Sequence, residues 1–308
     1  MGRLKMPFLL NSRSRSLLSL LPKVHIFEHT FICEQGEAMS TFLFGGQSCS
    51  FEDIGAGEPV LLIHGFTNHG LGWAPQLAVL VSHGFRILLP DLPGHGRSYA
   101  VEQATGVDEL ARNMIALLDH LGIARAHVCG LSLGGMVAQE LALMAPERVN
   151  RLVIACSTAR ANDPATIAAA HRWIEVLESR DGPLHRLAES WPFLTTEAFR
   201  KTATARAVYD GWQSTLRTVS GAALAHIARA LAAFDAYERL GAVAAPTLVI
   251  GGGADKLFPP PRAYELVSAI PRARLALLQE AGHLANLDSP DQFNSALLAF
   301  LTQDRGQS

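Results

Sequence analysis

The stretch Cys129-Gly130-Leu131-Ser132-Leu133-Gly134-Gly135 places a serine inside a G-x-S-x-G pattern. It is entered from a short apolar run at 126–129 and left through a helical pattern at 136–145. Strand, sharp turn and helix is the context in which this pattern makes a nucleophile elbow, with the serine hydroxyl lifted clear of a sheet. Small residues at 130, 134 and 135 let the backbone turn tightly and the helix pack close to the strand. The helix that follows points its N–H groups and positive dipole end at the same spot. A serine hydroxyl is a weak nucleophile until a base takes its proton and donors hold the oxyanion. The chain must therefore also supply a base, an acid and donors.

The elements that could position them alternate in type. Short strands at 41–44 and 48–53 flank a Gly45-Gly46 turn. Apolar runs at 59–64, 85–89 and 149–155 read as strands buried on both faces. Helical patterns fill 73–82 and 107–121; the second sets Leu110, Met114, Leu117, Leu118 and Leu121 on one face. Residues 158–237 carry only helical periodicity, much alanine and Trp173, Trp191 and Trp212, three of the four tryptophans. Strands resume at 246–250 and 274–279, with helices at about 261–269 and from Pro290 onward, where Ser289 can act as N-cap. The pattern predicts an α/β fold: an eight-stranded, mostly parallel sheet with helices on both faces and an inserted helical segment. Residues 39–157 and 238–308 form the core in this reading and 158–237 a helical cap. Residues 1–38 are expected to be a disordered extension, because the first hairpin opens only after Met39.

Reactive groups in open α/β sheets gather at the carboxyl ends of strands. Ser132 follows the fifth strand, Asp255 sits in the glycine loop after the seventh, and His283 follows the eighth. His283 would take the Ser132 proton and return it to the leaving group, and Asp255 would orient the imidazole. The oxyanion donors expected are the backbone N–H of Leu133 and of Phe66, in the loop after the third strand. His64 and His95 are read as loop-shaping groups, and Asp91 and Arg97 as a pair tying their loop. Asp288 lies near His283 but is assigned to the entrance of the last helix. The twelve histidines show no metal-ligand spacing.

Composition excludes other classes. A net charge of −2 gives no bulk electrostatic case for nucleic acid, and no apolar run is long enough to span a membrane. Cys33, Cys49, Cys129 and Cys156 show no metal or disulfide spacing, which suits reduced core thiols. The first 24 residues are basic and serine-containing with no acid, the composition of an organellar transit peptide. A disordered extension on a cytoplasmic protein is the favoured expectation, and import is the alternative.

The stretches LLIHGF (61–66), LLPDLPGHGRS (88–98), GLSLGGMVAQELALMAPERVNRLVIA (130–155), APTLVIGGGAD (245–255) and EAGHLANLDSPDQFN (280–294) resemble the α/β-hydrolase fold superfamily over roughly 40–303. Within it the chain looks like the 3-oxoadipate enol-lactonase and carboxylesterase group. The elbow segment through Arg160 and the phrase GHLANL carry that finer match. The resemblance implies a cofactor-free serine esterase or lactonase, with a small-molecule substrate and an acyl-enzyme on Ser132. It also implies that 158–237 roofs the pocket, which makes Trp173, Trp191, Phe193, Trp212 and Phe234 the candidate lining groups. A Ser at 132 argues against the dehalogenase relatives, which use Asp. A C–C bond hydrolase of meta-cleavage type and a small-molecule receptor that keeps the triad are the alternatives. The first 38 residues depart from the family pattern.

Overall fold

The structure, a computed structural model, describes residues 24–27, 30–33 and 40–303, with side chains from residue 40 onward. Val24–Phe27 and Thr30–Cys33 pair antiparallel as a small hairpin, which belongs to a separate unit of the chain. It lies within the stretch read as an extension. The rest of 1–38, including residues 1–23 of the basic leader, lies outside the described residues.

The second unit is built on eight strands: β1 (Ser40–Phe44), β2 (Gln47–Gly55), β3 (Glu58–Ile63), β4 (Phe85–Pro90), β5 (Ala126–Leu131), β6 (Val149–Ala155), β7 (Thr247–Gly252) and β8 (Ala273–Leu278). Their order across the sheet is β8-β7-β6-β5-β3-β4-β2-β1. The β1–β2 and β2–β4 pairs are antiparallel and the others parallel. The order reverses between β3 and β5, and a crevice at the carboxyl ends of the strands is expected at such a point.

The central strands are apolar throughout because both faces are covered. Leu61 and Ile63 face one cluster, with α2 (Val107–His120) and α3 (Leu133–Met144); Val60 and Leu62 face another, with α1 (Ala74–Ser82) and α11 (Pro290–Leu301). Leu110, Met114, Leu117 and Leu118 form the buried stripe of α2, as its spacing requires. Each such fully buried aliphatic side chain stabilises the fold by about 1.5–3 kcal/mol relative to exposure. The expected cap by Ser289 does not form: its side chain makes no capping hydrogen bond, and α11 begins on Pro290 with its fixed φ alone.

Between β6 and β7 run five helices: α4 (Pro164–Leu177), α5 (Gly182–Leu194), α6 (Glu197–Arg200), α7 (Ala203–Leu216) and α8 (Gly221–Ala232). Four begin on a side-chain cap, supplied by Asp163, Thr196, Thr202 and Ser220. The insertion leaves and rejoins the core side by side. Ala161 N–H donates to Phe234 O (2.8 Å) and Ala236 N–H to Ala159 O (2.9 Å). Arg160–Glu265 and Arg262–Asp163 ion pairs (2.5 Å each) tie this base to α9 (Pro260–Ala269).

Candidate active site

The elbow is strained and tightly packed. Ser132 has φ +56° and ψ −117°, a conformation that L-residues rarely adopt. The turn is possible because its neighbours are glycine: a Cβ on Gly130 would lie 1.9 Å from Gly134 O, and one on Gly134 would lie 2.1 Å from Ile63 O. Ser132 N–H donates to Ala155 O (2.9 Å), and Ser157 Oγ–H donates to Ser132 O (2.8 Å), so strand β6 and its exit hold the elbow.

Three strand ends meet here. His283 Nε2 lies 2.9 Å from Ser132 Oγ, and His283 Nδ1 lies 2.9 Å from Asp255 Oδ2. A carboxylate only accepts, so Nδ1 carries the proton and Nε2 presents a lone pair to the serine hydroxyl. Asp255 Oδ1 accepts from Leu257 N–H (2.8 Å) and Phe258 N–H (2.9 Å), which orients the carboxylate, and the Phe258 ring packs edge-on against His283 at 5.5 Å. All three side chains are buried.

The Phe66 N–H and the Leu133 N–H meet no acceptor among the described residues; Leu133 is the first residue of α3, whose opening N–H groups have no intrahelical partner. His64 shapes the loop that carries Phe66. Its Nδ1–H donates to Gly65 O (2.8 Å), and its Nε2 accepts from Leu92 N–H (3.0 Å), which leaves no nitrogen for Ser132. Burial lowers its pKa to about 3. His95 packs edge-on against both His64 and Phe66, and burial lowers its pKa to about 3 as well.

Asp91 does tie its loop, but not through the Arg97 guanidinium. It accepts from the Arg97 backbone N–H (2.9 Å) and Gly70 N–H (2.8 Å), while the Arg97 side chain reaches toward Glu52 at 4.0 Å. The carboxylate thus satisfies turn amides that no strand could pair. Asp288, in α10 (Ala285–Asp288), accepts from Gly282 N–H (3.0 Å) and Thr196 N–H (3.3 Å), while the His283 Nδ1 is taken by Asp255. Burial raises its pKa to about 6.

A cavity of about 20 Å³ opens above Ser132, lined on the core side by Phe66, Leu257, Phe258 and His283 and on the insertion side by Trp173, Arg186, Leu194, Trp212 and Leu231. That is room for about one water. Of the five aromatic residues expected to line it, Trp173 and Trp212 do. The other three are elsewhere. Trp191 stands behind Trp212, edge-on at 6.2 Å, in a cluster with Tyr209 and Phe199. Phe193, just past Pro192 on the flank of the buried face of α5, is 58% exposed. Phe234 is buried at the base of the insertion, in the cluster around α2 and α3. Arg186 was not among the expected residues; a lone arginine in a helical pattern reads as a solvated charge, and only its burial singles it out.

Residues 58–290 match the family model described as the alpha/beta hydrolase fold. The chain belongs to the α/β-hydrolase fold family. It is 32% identical to a protein of Azorhizobium caulinodans provisionally named carbamate hydrolase RutD, over 84% of this chain and 97% of the relative. It is also 32% identical to the 2-hydroxy-6-oxononadienedioate/2-hydroxy-6-oxononatrienedioate hydrolase of Cupriavidus pinatubonensis, over 81% of this chain and 89% of the relative. Among solved structures, the enol-lactonase of Burkholderia xenovorans superposes with a TM-score of 0.78 at 27% identity, covering 86% of this chain and all of that one. The eight-stranded, mostly parallel sheet with its helices is the fold that this family shares. No helix of the described residues is long and apolar enough to cross a membrane.

Proposed function

We propose that this α/β-hydrolase cleaves a carboxylic ester or lactone through an acyl-enzyme on Ser132. The observation that carries the reading is the continuous chain Asp255–His283–Ser132, with two 2.9 Å links ending on a strained elbow serine. In the first step Ser132 Oγ attacks the carbonyl carbon while His283 Nε2 takes its proton. The imidazolium is stabilised by Asp255, and the oxyanion by the free N–H groups of Phe66 and Leu133. Collapse breaks the bond to the alkoxy oxygen, which leaves with the proton from His283. Water then repeats the sequence and releases the acid and the serine. The helical insertion acts as a cap: α4, α5 and α7 contribute Trp173, Arg186, Leu194 and Trp212 to the wall above Ser132.

The test is hydrolysis of p-nitrophenyl esters from acetate to octanoate, followed by lactones, by the wild type and Ser132→Ala. Serine-dependent turnover supports the reading. A C–C bond hydrolase is the second reading, favoured by the identity to the Cupriavidus relative. Turnover of a vinylogous diketone acid with no turnover of any ester would select it.

A further inference from the structure

Arg186 is 6% exposed and belongs to the same cavity wall as Ser132 and His283. None of its N–H groups meets an acceptor among the described residues, and its Nε is fully enclosed. Its guanidinium carbon lies 4.3 Å from the centroid of the Trp173 ring; Trp173 in turn stacks on Phe66 at 6.2 Å. Burial lowers its pKa to about 10, so it remains a cation at neutral pH. The acid that attracts it, Glu189 on the same helix, makes no hydrogen bond to it and instead reaches the exposed Arg172 at 3.5 Å.

A buried charge without an anionic partner is costly, and proteins generally pair it. Even partly exposed arginines elsewhere in this fold find acids: Arg160 pairs with Glu265, Arg239 with Glu140 and Arg262 with Asp163. Arg186 does not, and it is the residue aimed into the reaction cavity. A cation over an aromatic face is partly stabilised there, which holds it in place while its N–H edge stays available.

We infer that Arg186 binds a carboxylate carried by the substrate, so that the ester or lactone cleaved at Ser132 is an anionic one. The inference rests on the ester or lactone reading for the identity of the scissile bond. A guanidinium accepts a carboxylate with two parallel N–H···O bonds, a geometry that fixes orientation as well as charge. One positive charge matches one negative charge. A phosphate monoester would bring about two charges at neutral pH, and the described lining holds no lysine or second arginine. Because Arg186 is on the insertion and Ser132 on the core, the same carboxylate would draw the cap down over the scissile bond.

The experiment compares monoethyl succinate, glutarate and adipate with the neutral ethyl butyrate, valerate and hexanoate of equal acyl length. The wild type should favour at least one half-ester over its neutral match by about tenfold or more in kcat/KM. Arg186→Gln should lower that ratio about 100-fold, a loss of the size reported for a bidentate charged contact, whereas Arg172→Gln, on the outside of the insertion, should leave it unchanged. Arg186→Lys should recover part of the ratio, since it keeps the charge without the fork. A wild-type preference for the neutral esters, or an unchanged ratio in a folded Arg186→Gln, would overturn the inference. Calorimetric binding of succinate, glutarate and adipate separates the two readings if no ester is turned over. Binding lost in Arg186→Gln then sustains the carboxylate site while the ester reading fails, and no binding by the wild type overturns both.

Discussion

The indole N–H of Trp212 donates to the carbonyl of Thr67 across 2.5 Å, joining α7 of the insertion to the loop after β3. Thr67 has φ +63°, a rare conformation for a threonine, and follows Phe66, whose N–H faces no acceptor among the described residues. One hydrogen bond thus holds together the roof of the cavity and the loop proposed to bind the oxyanion. Trp212→Phe keeps most of the ring and removes the donor. Denaturant unfolding should show a loss of about 1–3 kcal/mol, the cost of a buried carbonyl left unpaired, together with a lower kcat for ester hydrolysis.

Asp255→Asn should separate orientation from charge. The amide can still face His283, but it no longer favours the tautomer with Nδ1 protonated. By analogy with other Ser-His-Asp sites, kcat should fall by about 10⁴-fold, with a far smaller change in KM. Steady-state kinetics on the best ester substrate checks this. A fall of only a few-fold would remove Asp255 from the proposed role.

His64 is close to Ser132 in the fold but has both nitrogens engaged, so it should behave as scaffold. His64→Ala leaves the Leu92 N–H without its acceptor and opens a void beneath the oxyanion loop. The expected cost is about 2–4 kcal/mol in urea unfolding. The folded fraction should still turn over ester, whereas His283→Ala should not. Equal loss of activity in the two variants, at a temperature where both are folded, would contradict these assignments.

His64 and His95 also set a pH dependence. Both are held neutral by burial, with pKa values lowered to about 3. The unfolded chain takes up protons below about pH 6.5 that the folded protein refuses. The stability they contribute is therefore complete above about pH 6.5 and is lost as pH falls toward 3. The slope is at most about 1.4 kcal/mol per pH unit for each group. His95→Gln should make the acid limb shallower in unfolding titrations at stepped pH.

Asp288 works in the opposite direction. Burial raises its pKa to about 6, so between pH 4 and 6 the folded state holds a proton that the unfolded state releases. Its contribution to stability falls as pH rises through that window. Asp288→Asn keeps an oxygen for the Gly282 and Thr196 amides and removes the titration. Relative to wild type, the variant should gain stability as pH rises from 4 to 6, read by the same unfolding series.

Much of this architecture was legible in the residue order. Strands buried on both faces are uninterrupted apolar runs, and the elbow glycines announce a backbone approach that no Cβ could survive. Ser132, Asp255 and His283 stand directly after strands, where topology alone brings them to one edge. The insertion was legible only as helical. Which of its aromatics reach the cavity depends on how five short helices pack, and periodicity within each helix carries no information about that. Phe193 and Phe234 went to solvent and to the core for this reason, and Arg186, invisible as one charge among 26 basic residues, became the cavity's cation. Backbone partners were equally hidden: Asp91 found the Arg97 N–H instead of its guanidinium, because the turn had amides to satisfy.

The central claim is a covalent step on one serine, and mass spectrometry of the acyl-enzyme tests it most directly. A slowly deacylating ester, mixed with the protein and quenched in acid, should add the acyl mass to the intact chain. Digestion should place it on the peptide containing Ser132, and Ser132→Ala should show neither the adduct nor turnover. Turnover that proceeds without an adduct and survives in a folded Ser132→Ala variant would contradict the account.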